Sequence, residues 1–170
     1  MANTFRPMRR VRQQLTHDEC IDILCSTTSG VLAVAGDGGY PYAVPLSHVY
    51  DSGHLYFHSA LQGHKVDAIA ADARCSFCVI DRDEVHPESF TTYFKSVIAF
   101  GRIHIIDDAG ERLAALRMLG HRHAPDDASG LQREIDKDFD RVLMLRLDIE
   151  HLTGKQAIEL VNQRTVRSTN

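Results

Sequence analysis

The sequence lacks a hydrophobic run of about 18 residues, the length that a membrane-spanning helix needs. It also lacks an apolar segment near the N-terminus of the kind that marks secretory signal peptides. We therefore expect a cytoplasmic protein without membrane contact. No internal repeat or low-complexity segment is visible, and 170 residues match one compact domain that buries roughly two-thirds of its unfolded surface.

A large excess of charge is also absent. Lys and Arg total 19 against 23 Asp and Glu, and the formal net charge is −4. This balance gives no general attraction to nucleic acid. The basic residues Arg6, Arg9, Arg10 and Arg12 cluster at the start, and we interpret residues 1–15 as a solvated basic arm. Contact of this arm with an acidic partner or ligand remains an alternative.

Two kinds of catalytic motif are missing. No serine lies in a G-x-S-x-G sequence, so hydrolase chemistry has no support. The four cysteines form no recognisable pattern, with Cys20 and Cys25 in a predicted helix and Cys75 and Cys78 in a predicted strand. Positions three apart on a strand face opposite sides, which favours buried free thiols. A zinc site that combines both pairs stays open.

The segment LYFHSALQGHKVDAI, residues 55–69, predicts an anion site. Side chains that alternate with period two from Leu55 to Ser59 indicate a strand, and apolar residues at helical spacing from Val66 to Ile69 indicate a helix. His64 and Lys65 then occupy the first turn of that helix, where the macrodipole repels cations by roughly 0.3–1 kcal/mol. A bound phosphate would reverse the sign of this cost. An ordinary connection with solvated side chains is the alternative.

The periodicity elsewhere predicts a mainly β chain with peripheral helices. Thr16 and Glu19 form a capping box that starts a helix ending near Ser26. The predicted strands are 31–35, 40–50, 54–59, 74–81, 93–107 and 141–149, and the other predicted helices are 64–71, 107–121 and 131–139. Six antiparallel strands with short helices suggest a barrel, in which Gly101 allows a bend.

Pro41 and Pro45 lie within the second predicted strand and cannot donate to a ladder. This strand should be an edge, a bulge, or a place where a ligand lies alongside.

Two segments follow one another in the chain, PYAVPLSHVYDSGHLYFHSALQGHKVDAI and then SVIAFGRIHIIDD. In their order and spacing the chain resembles the flavin-binding split-barrel family that includes pyridoxamine 5′-phosphate oxidases. The match covers roughly residues 16–155, followed by a tail at 156–170. An N-terminal MRR and a late LTGK make the chain most similar to the nitroimidazole-resistance branch. The C-terminal VNQRTVRSTN lacks the arginine-rich motif that grips pyridoxamine phosphate, so that activity is not expected.

The resemblance implies a homodimer of six-stranded antiparallel split barrels with FMN at the subunit interface. It implies a two-electron reductase of small electron-poor aromatics such as nitroimidazoles. By position, Lys65 would bind the phosphate with help from Gly63 and His64. The remaining flavin contacts would come from Val44, Pro45, Leu46, Ser47, His58, Ser59, Ala60 and, from another wall, Ser96.

His58 has a catalytic and a structural interpretation. A neutral imidazole beside the flavin could handle substrate or protons, because its pKa lies near neutrality. It could equally only hydrogen-bond the barrel wall. His48, His54 and His58 also leave open a three-nitrogen site, although no metal is predicted. Two further alternatives are a flavin-binding module without turnover and a haem-binding split barrel.

Overall fold

The computed structural model describes residues 5–167 of the protein, with side chains up to Arg164. The helices of this part of the chain are α1 (His17–Ser26), α2 (His64–Ala71), α3 (Ala109–His123), α4 (Ala128–Asp138) and α5 (Ile158–Arg167). The strands are β1 (Ser29–Ala35), β2 (Pro41–Ser47), β3 (Val49–Asp51), β4 (His54–Ala60), β5 (Arg74–His86), β6 (Thr91–Ile105) and β7 (Val142–Gln156). The mainly β class with peripheral helices is confirmed.

The strands form one antiparallel seven-stranded sheet in the order β2-β1-β5-β6-β7-β4-β3. The prediction of six strands was wrong because the strand expected over residues 40–50 is interrupted at His48. Its two parts, β2 and β3, lie at opposite edges of the sheet. The expectation of a closed barrel is corrected as well, since β2 and β3 do not pair with each other. The edge position expected for the proline-containing strand β2 is confirmed.

His48 is the single residue between the two edge strands, and it is fully buried. Its Nε2–H donates to the carbonyl of Leu24 in α1 at 3.1 Å, and its ring meets Phe77 of β5 edge-on at 5.0 Å between centroids. The backbone N–H of His48 donates to Thr28 at 3.1 Å. Burial lowers the pKa of His48 to about 4, so the ring is neutral in the folded protein.

Helix α1 covers one end of the main core. The predicted capping box is present, with Glu19 N–H donating to Thr16 Oγ1 at 3.2 Å and Thr16 N–H donating to the Glu19 carboxylate at 2.8 Å. Cys20, Ile23 and Leu24 of the helix pack against inward residues of the strands. Full burial of each aliphatic side chain contributes roughly 1.5–3 kcal/mol.

Strands β5 and β7 are longer than the sequence indicated, whereas β6 has the predicted length of 15 residues and begins two residues earlier. The polar stretch around Pro87 is a short 3₁₀ turn that joins β5 to β6. The register between β6 and β7 shifts between Phe100 and Gly101, and the extra residue, Glu150, lies in β7. A Cβ at position 101 would lie 2.0 Å from the carbonyl oxygen of Asp148, so glycine allows the two strands to approach closely here, and the bend of β6 stays a prediction.

The two terminal segments pack against the body of the protein. Phe5 stacks on His151 at 4.5 Å, Gln13 is 4% exposed, and Leu15 N–H donates to Gly154 at 2.9 Å. The arginines of the expected arm are solvent-exposed, whereas its contacts through Phe5 and Leu15 hold it along β7. The expected tail contains α5. Residues 1–4 of the arm and 168–170 of the tail lie outside the described residues. No helix within residues 5–167 is long and apolar enough to cross a membrane.

Acidification should destabilise the protein through His48. Its pKa falls from 6.5 to about 4 on folding. The neutral ring therefore costs no stability above pH 6.5, and the free energy of unfolding decreases as the pH is lowered from 6.5 through about 4. Linkage gives a loss of roughly 3 kcal/mol. Urea unfolding at about pH 7, 6, 5 and 4 measures the free energy of unfolding. This free energy should decrease less with falling pH in His48→Gln than in wild type. An equal decline in both proteins would contradict this role.

Candidate functional site

A split in the sheet lies between the edge strand β2 and the free edge of β4. The ladder between β3 and β4 stops at the pair Val49 and Tyr56. Beyond it, residues 57–60 of β4 have no ladder partner on that edge, and β2 contacts β4 without pairing with it. We call these two unpaired edges the split. Backbone groups there are available to a ligand, and Pro45 has no N–H to leave unsatisfied.

Helix α2 begins where β4 ends, directly beside the split. Gly63 is its N-cap, with a φ of 134° that favours glycine, and no side chain caps the helix. Lys65 is half-buried, and burial lowers the pKa of its ammonium group. Within residues 5–167 no carboxylate lies within ion-pair distance of Lys65. Uncapped N–H groups and an unpaired ammonium at one helix start are suited to an anion.

His64 faces a different neighbour from Lys65. Its ring stacks on Tyr42 of β2 at 4.1 Å between centroids, and its Nε2 lies 3.7 Å from the carboxylate of Asp37. This contact links α2 to the edge strand across the split. Tyr42 was not singled out in the sequence, because a stack between residues 22 positions apart has no local signal.

The strand period separates the predicted residues of β4. Ser59 is buried towards the core, whereas His58 and Ala60 are exposed on the opposite face. His58 pairs with Met144 of β7 and lines a cavity beneath α3 and α4. Only backbone atoms of Ser59 are therefore open to a ligand on the His58 face.

The pKa of His58 is lowered by burial, by the charge of Lys65 and by His123. At neutral pH its imidazole is therefore uncharged and can donate and accept hydrogen bonds. The contribution of His123 has no local signal in the sequence, because His123 is far from His58 along the chain. His123 is exposed, but its charge helps to lower the pKa of His58.

Ser96 is the one predicted site residue that the chain does not bring to the split. It pairs with Lys155 near the end of β7, whereas His58 pairs with Met144 near its start. Eleven positions on a strand span roughly 36 Å along the backbone. The other ten predicted residues lie on β2, β4 or the start of α2.

The alternative metal arrangements do not form. His48 is bound to Leu24, and His54 Nδ1 lies 2.7 Å from Asp148, so these rings do not converge with His58. All four cysteines are free. Cys20 is buried as expected, but Cys25 is exposed, because it lies on the outer side of α1. Within the described residues no His, Cys, Asp and Glu cluster is arranged to hold a metal ion.

Comparison with known proteins decides the family. The model of the pyridoxamine 5′-phosphate oxidase family matches residues 16–156. The chain belongs to this family. A FAD-binding protein from Mesorhizobium loti is 30% identical, with 85% of this chain and 97% of that chain covered and a TM-score of 0.58. No curated protein matches the chain.

Two more distant structures share the fold. A candidate 5-nitroimidazole antibiotic resistance protein from Bacteroides thetaiotaomicron has 19% identity and a TM-score of 0.74, with 84% of this chain and 86% of that chain covered. The FAD and heme binding protein from Mycobacterium smegmatis has 24% identity and a TM-score of 0.72, with 85% and 73% covered. The mainly β fold with peripheral helices is therefore shared with these solved structures.

The effect of the Lys65 charge on the pKa of His58 should be measurable. Lys65→Met removes a positive neighbour, so the pKa of His58 should rise, while burial still holds it below its ordinary value of 6.5. Titration of the histidine ring signals by NMR measures this shift. Lys155→Met, which removes a positive charge eleven positions along β7 from the residue that pairs with His58, is the matched control and should leave the pKa of His58 unchanged. An unchanged pKa of His58 in Lys65→Met would show that the two groups are not neighbours.

Proposed function

We propose that the protein is a flavin-dependent oxidoreductase whose cofactor phosphate binds at the start of α2. The observation that carries this proposal is Lys65, a half-buried ammonium without a carboxylate partner in the described chain, at an uncapped helix start. FMN, the cofactor expected from the sequence, carries such a phosphate, and FAD carries the same group within its pyrophosphate. The family match and the FAD-binding relative support a flavin at this position.

The residues present fit a flavin on electrostatic grounds. Burial disfavours the charged form of Lys65, and the positive end of the α2 macrodipole adds to this cost. A phosphate would neutralise the ammonium and accept hydrogen bonds from the N–H groups at the helix start. Gly63 supplies the backbone conformation that starts the helix there, since an L side chain would be strained at its φ of 134°.

The split would hold the planar part of the cofactor. Residues 44–47 present an unpaired strand edge in which Val44 and Leu46 pack on the core and Pro45 is exposed. A ring placed there meets backbone groups of Leu46 and Ser47 without breaking a ladder bond. His58 and Ala60 flank it from β4. The flavin itself would supply the redox chemistry, while the protein orients it and controls access to it.

Small electron-poor aromatics such as nitroimidazoles are the proposed substrates. The shared fold of the nitroimidazole-resistance structure supports this class. Residues 161–167 form part of α5, and their sequence, VNQRTVR, does not match the arginine-rich motif expected for gripping pyridoxamine phosphate. His58 would hold the substrate as a neutral donor, or transfer a proton to it, because its pKa is lowered.

A homodimer would complete the site. Within one chain the split is open on one side, and Ser96 lies far along the sheet from His58. A twofold axis would bring the same patch of a second subunit against each split. Ser96 of that second subunit would then supply the additional wall predicted from the sequence.

Lys65→Ala should weaken flavin binding. Loss of a charge-assisted phosphate contact costs roughly 1.5–3 kcal/mol, which corresponds to an increase in Kd of about tenfold to 150-fold. Titration with FMN, followed by quenching of flavin fluorescence, measures this change. Arg74→Ala is the control, because it removes one positive charge beyond the other end of α2, where Arg74 pairs with Asp72 at 2.6 Å. Equal affinities in wild type and Lys65→Ala would refute the phosphate role.

A turnover experiment distinguishes an oxidoreductase from a protein that only binds flavin. Protein loaded with flavin is reduced with dithionite without oxygen and mixed with a 5-nitroimidazole, and the absorbance of oxidised flavin should return. His58→Gln should slow this return by about a hundredfold if His58 is a general acid. His54→Gln, on the same strand but bound to Asp148, should not. Bound flavin without return of absorbance in wild type would favour a storage or sensing role.

A further inference from the structure

A cavity of about 330 Å³ lies beneath α3 and α4, against the ends of β4 and β7. This volume is at the lower end of the range of about 300–1,000 Å³ that small-molecule sites occupy. Gly120 brings the two helices together, because a Cβ there would lie 2.2 Å from Leu131. The apolar walls come from Leu116, Leu119, Leu131, Ile135 and Val142.

Two carboxylates line the α4 side of this cavity. Glu134 and Asp138 are four positions apart, so they share one face of the helix. Lys137 is 3.7 Å from Glu134 and 3.4 Å from Asp138, and Arg141 is 3.3 Å from Asp138. Such pairs are weak at exposed positions, and each carboxylate can accept further hydrogen bonds. Residues 124–141 contain six Asp and Glu against three Lys and Arg, so this segment is negatively charged.

The β4 side of the cavity presents a neutral hydrogen-bonding group. His58 lines the cavity, and its lowered pKa leaves the imidazole uncharged at neutral pH. Within residues 5–167 its ring has no hydrogen-bond or ion-pair partner. A neutral imidazole has one nitrogen that can accept a hydrogen bond. Acceptors therefore lie on two sides of an apolar space.

The chemistry of the walls selects a class of ligand. A phosphate or carboxylate would be repelled by Glu134 and Asp138, and Lys65 does not line the cavity. The described side chains there are not arranged to hold a metal ion. A protonated amine would make charge-assisted hydrogen bonds to the carboxylates. An apolar ring attached to that amine would leave water for the leucine-rich walls.

Helix α3 is fixed over the sheet by two arginines. Arg122 donates to the carbonyls of Ser26 and Thr27 at 2.7 and 3.2 Å. Arg112 donates to the carbonyls of Phe139 and Val142 at 2.9 and 3.1 Å. These bonds hold the α3 wall in place, so the cavity is largely preformed. Preformed walls reduce the ordering cost of binding.

We propose that the cavity beneath α3 and α4 binds a small organic cation, an apolar ring that carries a protonated amine and no phosphate. Glu134 and Asp138 pair with the ammonium group, the apolar walls take the ring, and His58 offers an acceptor from the opposite side. Binding does not depend on the proposed flavin site, because Lys65 takes no part in it. Since His58 also flanks the proposed flavin position, the bound cation would lie beside the cofactor.

Three naphthalene compounds of similar shape test the charge preference. They are 1-naphthylmethylamine, which is protonated at neutral pH, the uncharged 1-naphthylmethanol and the anionic 1-naphthylacetate. Titrations of the full chain, followed by naphthalene fluorescence, should give a Kd for the amine at least about tenfold below that of the alcohol, with the acetate weakest.

Carboxylate variants test which groups cause this preference. Glu134→Gln combined with Asp138→Asn should raise the Kd of the amine by about tenfold and leave that of the alcohol unchanged. Asp136→Asn is the matched control, because this carboxylate lies on the same helix but does not line the cavity. It should retain the full preference for the amine.

Histidine ring signals in NMR spectra test the location. The amine should shift the signals of His58 and His123, which both line the cavity, and leave those of the buried His48 unchanged. Leu131→Trp fills the cavity and should abolish these shifts. Gln132→Trp adds the same bulk at an exposed position of α4 and should preserve them.

Three results would overturn the proposal. They are equal affinities for the three compounds, a preference for the amine that survives loss of both carboxylates, and saturable binding that leaves His58 and His123 unshifted. The carboxylate variants change side chains at the rim, so they keep the test decisive if Leu131→Trp fails to fold. Each of these results leaves the flavin site untouched, since FMN titration of Lys65→Ala tests that site separately.

Discussion

The structure depends on the passage of the chain from one edge of the sheet to the other at His48. Strands β2 and β3 are separated by this one residue, yet they lie at opposite ends of the seven-stranded order. A flat sheet would hold its edges many strands apart, with neighbouring strands about 4.8 Å from each other. The sheet must therefore curl until its edges meet. The buried His48 ring, held between Leu24 and Phe77, fixes the point of meeting.

The same constraint creates the split. Next to His48 the strand β3 pairs with β4 as far as Val49 and Tyr56, but beyond that pair β2 and β4 contact each other without forming a ladder. Unpaired strand edges are normally a liability. Here they lie beside the start of α2, where Lys65 also has no partner in the described chain. The fold thus leaves polar backbone and a positive charge unsatisfied in one place, and a bound anion would stabilise the folded state by mass action.

The outer face of β4 links this region to α3 and α4. Alternation along the strand places Phe57 in the main core and His58 under the helix pair. A smaller cluster around Tyr56, Ala115 and Met144 holds the helices on that face. The arginines of α3 add directional bonds to backbone carbonyls. A single strand therefore connects the core, the split and the cavity beneath α3 and α4, and its His58 lies where burial, Lys65 and His123 lower its pKa.

The sequence by itself determined the local elements, because caps, periodicity and turn residues act over a few positions. The capping box at Thr16, the helix from His64 to Ala71 and the edge character of β2 all followed from neighbouring residues. The cationic start of α2 was equally readable. Tertiary structure decided the interruption at His48, the anchored N-terminal arm, the stack of Tyr42 on His64 and the place of His123. These features depend on contacts between distant segments, and local patterns carry no information about which segments meet.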